Sequence, residues 1–345
     1  MTTASPTRFG ATTFGGAVGR VLRARETGIL AAFIIVVVVT TIVNPKFIFS
    51  PDGWRDLLLS PAILVLVAVG EAIVIITRSV DLSVGSVVGL TAYLGAELFV
   101  GFPGIPIVLV FVLTIAGGAV LGLINGLLVA LGKVPALVIT LGTLYAYRGI
   151  AVVWAGSNRV NASQMPKDFL ALGNSSLLYV PYLFLFALIV VLIAGWYLRN
   201  RRAGRELYAI GSDPAAAELY GLRVNRRIIF AFVLSGALAG FAGILSDAFY
   251  GTTDSQTGTG FELQAVGAVV IGGVAIFGGS GSVYGAAIGA MLLFTINRAL
   301  PILGIGSFWQ QAVTGVLIIG AIVLDRLLAL RTSRRLTAER QVSHD

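Results

Sequence analysis

Residues 78–89 read RSVDLSVGSVVG, between an apolar run that ends at residue 77 and another that starts at residue 83. Arg78 and Asp81 stand three residues apart in otherwise oily sequence. Isolated charges are costly in hydrocarbon, so such a pair marks either a membrane interface or a functional element. The runs on either side set the fold class. The 345-residue chain is 57% hydrophobic and 12% charged, with a mean hydropathy of +0.93. Soluble domains carry about a quarter charged residues, so this chain lacks the polar groups to cover a water-facing surface. A β-barrel would show alternating segments of about ten residues. The runs here are continuous and longer, and 43 glycines suit closely packed helices. The expected fold is all-α and polytopic.

Ten runs approach the roughly 20 residues that cross a bilayer. They cover 28–43, 61–77, 83–100, 105–130, 136–154, 178–198, 228–249, 263–278, 283–300 and 310–330. An N-terminal segment, 1–27, and a tail, 331–345, flank one membrane domain over 28–330. The tails with Arg326 at the end of the last run, the loop 199–227, Arg78 and Lys133 together hold 18 of the 24 basic residues. The positive-inside rule therefore puts both termini and that loop in the cytoplasm of a multi-pass inner-membrane protein. On this topology 78–82 is a tight cytoplasmic turn, where Asp81 or Ser83 can cap the following helix.

Composition narrows the function classes. With no cysteine, and with its only histidine at His344, the chain offers no thiolate, imidazole or cysteine-metal chemistry. We expect no metal and no cofactor. A catalytic nucleophile–base pair is absent near either membrane surface, and the basic residues read as topology signals rather than a nucleic-acid surface. A phosphate-binding GxxxxGK[ST] loop is also missing, so energy for any transport must come from another subunit or from an ion gradient.

Glu71 is the one carboxylate that the sequence places well inside a run, and it is a functional candidate on that ground. Asn125, Thr140, Thr143 and Asn297 are polar enough to line a path for a hydroxylated solute, or to bridge helices instead. Asp247, Asp254 and Glu262 are read at the outer ends of spans. Between 199 and 227, Asp213 is an N-cap, Pro214 fits the first helical position and Gly221 fits the stop. The resulting two-turn helix includes Ala216 and Ala217 and presents Leu219 and Tyr220. It is too short to persist without a docking surface. Finally, AVG at 68–70 precedes GSVVG at 85–89, and AVG at 265–267 precedes GSVYG at 281–285, a candidate internal repeat.

VDLSVGS (80–86), VPALVITLGTLYAYRGIA (134–151), NRRIIFAFVLSGALAGFAGIL (225–245) and GTGFELQAVGAVVIGGVAIFGGSGSVYGAAIGA (258–290) resemble the permeases of ribose-type ABC importers. The similarity runs from about residue 28 to 328. ITRSVDLSVGS and SQTGTGFEL resemble the rhamnose and type-2 autoinducer branches most. The resemblance implies a second permease subunit, identical or different, two cytoplasmic ATP-binding subunits and an extracytoplasmic solute-binding protein, all meeting at a lipid bilayer. It makes 213–221 a coupling helix for the ATPase. Arg298 and Pro301 depart from the Asn-Gly usual in the family. Rival readings are an ion-coupled carrier, a membrane enzyme and a branched-chain amino acid permease.

Overall fold

The computed structural model describes residues 25–320 and residue 323. The arginines expected to orient the two tails, except Arg25, and the expected end of the last span lie outside the described residues. Fourteen labelled helices follow in order: α1 (Arg25–Val43), α2 (Lys46–Phe49), α3 (Pro51–Ile76), α4 (Val84–Gly101), α5 (Ile107–Gly132), α6 (Ala136–Ala155), α7 (Lys167–Asn174), α8 (Tyr182–Asn200), α9 (Arg202–Ser212), α10 (Pro214–Leu219), α11 (Val224–Tyr250), α12 (Phe261–Ile271), α13 (Val283–Ile302) and α14 (Gln310–Gly320). Two antiparallel ladders of two residues per strand complete them: β1 (Val160–Asn161) with β4 (Thr252–Thr253), and β2 (Ser176–Leu177) with β3 (Val180–Pro181).

Each of the ten apolar runs falls on a helix. Seven are long and apolar enough to cross a membrane: α3, α4, α5, α6, α8, α11 and α13. Among the described residues, shorter apolar helices occupy the first, eighth and tenth runs. Two boundaries differ from the sequence reading by more than four residues. The second run begins at Pro51 rather than 61, because Ser50 Oγ accepts from Gly53 N and caps the helix, while Pro61 is carried inside it. The eighth stops at Ile271 rather than 278, because Gly272 and Gly273 end the helix, the latter at φ +83°.

Helix α3 is the centre of the bundle, with nearly every side chain from Leu57 to Ile76 buried. It packs against α8, α11, α12 and α13. The closest pairing is between α5 and α11. A Cβ on Gly118, Gly122 or Gly126 would run into the backbone of Gly236 and Gly240, Phe232 and Gly236, or Ile229. These positions recur every four residues along one face, so the two backbones lie against each other with little side chain between them. On the bundle's outside, α5, α6 and α8 present Val112, Val120, Leu141, Val153, Leu192 and Ile193 to the surroundings. Apolar side chains on the outside and glycines inside invert a soluble protein's pattern, as a lipid solvent requires.

Gly122→Ala should drive Phe232 and Gly236 away from α5 and cost about 1–3 kcal/mol. Gly142→Ala, at a position with nothing within 4 Å of the new Cβ, should leave stability unchanged. Thermal unfolding of the two variants in detergent reads the difference.

Candidate functional site

The turn 77–83 does not stay at the end of α3. Arg78 adopts φ +67° and is exposed, and the chain then doubles back along α3 until Asp81 N donates to Glu71 Oε1 at 3.1 Å. Asp81 is itself buried, and its Oδ1 accepts from Ser83 N (3.0 Å) and Ser83 Oγ (2.7 Å). Ser83 occupies the N-cap position of α4 without a side-chain capping bond, and Asp81 accepts from Ser83 itself rather than from the helix's first turn, so neither caps α4 as the sequence suggested: both side chains are committed to the buried network instead. Asn125 Nδ2 donates to Ser83 Oγ at 2.6 Å, and Tyr147 OH donates to Asn125 Oδ1 at 3.1 Å. Thr140 Oγ1 donates to Val80 O at 3.0 Å. Amide and hydroxyl donors from α5 and α6 therefore converge on a non-helical segment that sits deep in the bundle.

Three of the five polar candidates meet in this network: Glu71, Asn125 and Thr140, each 0% exposed. Thr143 bonds only back to Thr140 O of its own helix, at 3.3 Å. Asn297 belongs elsewhere, accepting from Gln310 Nε2 through its backbone oxygen and from Thr314 Oγ1 through Oδ1. Glu71 is not alone among buried carboxylates. Asp81 and Asp247 are 1% and 0% exposed, and Asp247, read from sequence at an outer helix end, lies within α11. Ser83 and Tyr147 were missed as network members because serine and tyrosine in apolar runs carry no signal of their own.

A second non-helical segment, 251–260, separates α11 from α12. It begins with the Thr252–Thr253 strand paired to Asn161 and Val160, and ends where α12 starts at Phe261. Between these points it lies in a groove on α4. A Cβ on Gly85 would meet Gly258 O and the Glu262 carboxylate, and one on Gly89 would meet Thr257 O and the Arg148 guanidinium. This accounts for the glycines of the RSVDLSVGSVVG stretch, since Gly85 and Gly89 leave room for residues 257–262. Arg148, thirteenth in α6, donates through Nη1 to Ser255 O (3.1 Å) and Thr257 O (2.7 Å). A lone arginine in the middle of the fifth run was its sequence signal, which the list of polar candidates did not include.

Next to the first of these segments is the α9–α10 region. The sequence reading anticipates one short helix in 199–227, and the structure has two. Helix α9 forms because Gly204, Leu207, Ile210 and Gly211 recur at helical spacing and are buried against the bundle. In α10, Asp213 Oδ1 accepts from Ala215 N and Ala216 N, both at 3.0 Å, Pro214 is at N1, and Gly221 follows at φ +80°. Leu219 and Tyr220 are 89% and 88% exposed. Glu206 holds Arg202 (2.9 Å) and Arg227 (2.6 Å). Burial alone would raise the Glu206 pKa, but the two guanidiniums outweigh it and hold the carboxyl below its ordinary value. A cavity of about 470 Å³ beside it is lined by Arg202, Arg223, Arg226 and Arg227. The end of α9 touches the bundle backbone to backbone: a Cβ on Gly211 would meet Ile76 O, and Gly279 N donates to that same oxygen at 3.0 Å.

Residues 54–322 match the family described as branched-chain amino acid transport system / permease component. The chain belongs to this permease family. Among curated relatives, it is 37% identical over 315 residues to the autoinducer 2 import system permease protein LsrC of Enterobacter sp. (strain 638), covering 91% of this chain and 90% of that one. It is 34% identical to the protein of that name from Yersinia pseudotuberculosis serotype O:1b (strain IP 31758), over 92% and 89% of the two chains. The Klebsiella pneumoniae subsp. pneumoniae protein of that name is 36% identical over 91% and 90%. No solved structure matches. The permease is thus a multi-pass protein of the bacterial inner membrane, of the ribose-type ABC class that the motifs suggested, and its relatives are transport subunits.

Asn125→Leu should strip Ser83 and Tyr147 of a partner at once. Leaving buried polar groups unpaired costs about 1–3 kcal/mol, so the variant should unfold at lower temperature in detergent. Tyr147→Phe, which removes only one donor, should lose less.

Proposed function

We propose that the permease is the membrane-spanning subunit of an ATP-driven importer for type-2 autoinducer or a closely related sugar-like solute. A binding protein delivers the solute, two cytoplasmic ATP-binding subunits supply the energy, and a second permease subunit completes the path. The observation that carries this reading is α10. It is a capped six-residue helix whose Leu219 and Tyr220 stand almost fully in solvent. An isolated helix of that length has no stability of its own, and two large apolar side chains gain about 1.5–3 kcal/mol each on full burial. That combination suits a knob that seats in a partner's cleft, and the neighbouring arginine-lined cavity suits an acidic rim around it. The solute follows from what the relatives are named for, across nine-tenths of their length.

In this reading the α9–α10 face and both termini are cytoplasmic, as the arginine count requires. The chain itself makes no phosphate contact. Asp213, Pro214, Ala216, Ala217 and Gly221 fix the coupling helix, and Leu219 and Tyr220 make its contact. Helix α9 passes the movement on, because Gly211 rests directly on the last carbonyl of α3. Burial gives Glu71, Asn125 and Thr140 a supporting part: they hold 77–83 from behind rather than touching solute.

The three buried carboxylates Glu71, Asp81 and Asp247 favour one rival, an ion-coupled carrier. The two readings separate in proteoliposomes holding the permease without ATP-binding subunits. Labelled solute accumulating under a proton or sodium gradient supports the carrier, and no accumulation supports the importer.

Leu219→Asp with Tyr220→Asp should abolish co-purification of the ATP-binding subunit and uptake together, while leaving the membrane domain folded. Asp213→Ala should weaken both less, since an N-cap is worth about 1 kcal/mol. A double variant that keeps wild-type co-purification and uptake removes α10 from the coupling role.

A further inference from the structure

We infer that the segment 252–260 forms part of the wall of the solute path inside the membrane, and that Arg148 is the residue that positions it. The inference rests on the transporter reading above and adds the place where solute passes. Depth comes first. Gly258 lies against Gly85 and Gly89. At about 1.5 Å per residue, Gly89 is roughly 18 Å inside the end of α4 marked by Gly101. The segment therefore carries irregular backbone far into the hydrocarbon layer. Backbone of that kind is tolerated there only where protein buries it or where it lines a water-filled cavity.

Protein does not bury it all. Gln256 and Thr259 are exposed, and Ser255 and Thr257 are partly so. One side rests on α4, the other is open, and the open side carries amides, hydroxyls and peptide groups rather than apolar side chains. Lipid cannot occupy it. A polar solute moving in water can. Helix α6 borders the opening, and its half-buried Arg148 spans the gap to the Ser255 and Thr257 carbonyls. The segment's other fastenings lie away from Gly258: the β1–β4 ladder and the Arg159–Asp254 ion pair (3.1 Å) toward one end, and the bonds of Thr253 Oγ1 and Asp254 N to Thr257 Oγ1 within it. A charged side chain in mid-span would otherwise be a liability. Here it satisfies two carbonyls that the absence of helix leaves open, and it keeps the segment seated in the Gly85–Gly89 groove.

The natural absence of cysteine makes the test direct, because a single introduced thiol is the only reactive one. In membranes holding the assembled transporter, a charged, water-soluble maleimide should label Gln256→Cys. It should not label Val120→Cys, which is exposed on the lipid-facing side of α5, nor the buried Thr253→Cys. Adding Arg148→Met should make Thr253→Cys reactive and cut uptake of labelled type-2 autoinducer at least tenfold, with Arg148→Lys falling between. An unreactive Gln256→Cys overturns the water-lined wall. Unchanged Thr253→Cys labelling and uptake in Arg148→Met overturns the positioning role. If Arg148→Met does not fold, Arg148→Lys answers the second question by the same two readouts. If the unaltered transporter takes up no autoinducer while the labelling pattern holds, the solute assignment fails and the wall stands.

Discussion

The bundle depends on how near α5 can come to α11. Gly118, Gly122 and Gly126 let the α5 backbone rest on that of α11, with only glycines and the Phe232 and Ile229 main chain between. Asn125 stands in the same row, beside Gly126. Were the helices separated by ordinary side chains, its amide would not reach Ser83, and the chain of bonds from Ser83 to Asp81 to Glu71 would lose its outer anchor. A contact between residues without side chains therefore fixes the non-helical segment 77–83, which in turn sets where α4 begins. The Gly85–Gly89 groove is part of α4, so the position of residues 257–262 follows as well.

Much of this was legible in the sequence. Continuous apolar runs with few charges have one reading in a bilayer, and each run fell on a helix. The cap, first-position proline and stop glycine of α10 are local chemistry, so Asp213, Pro214 and Gly221 appear where the sequence puts them. Glu71 stood out because a carboxylate among thirteen apolar neighbours is costly unless it is hydrogen-bonded or functional.

What the sequence hid depends on depth. Hydropathy reports that a residue is in a span and says nothing of whether the chain there is helical. Residues 77–83 look like a surface turn because they are polar, and 251–260 look like an exposed loop because they are polar and glycine-rich. Their place inside the bundle comes from contacts made across long sequence separations: Val80 with Thr140, Thr257 with Arg148, Gly258 with Gly85. Asp247 stands in the last turn of α11, where the sequence reading had it, and its burial is what hydropathy did not report. The AVG and GSV motifs do mark something shared. In each copy AVG lies on one helix (α3, α12) and the GSV motif straddles or follows the start of the next (α4, α13), and the turns between them touch where Gly278 lies beside Arg78.

Helix α12 has a bearing on how the protein is made. At eleven residues it extends about 16 Å, about half the hydrocarbon thickness, so it cannot partition into a bilayer on its own hydrophobicity. The translocon, which sorts segments by that criterion, has no reason to release it sideways into lipid. Part of its seat is α3, already made, but the rest comes from partners that emerge later: Gly272 lies on Gly285 and Ala286, and Gly267 lies on Ile318. Placement of this half-helix is therefore a late folding event rather than an insertion event, completed only after α13 and α14 have left the ribosome.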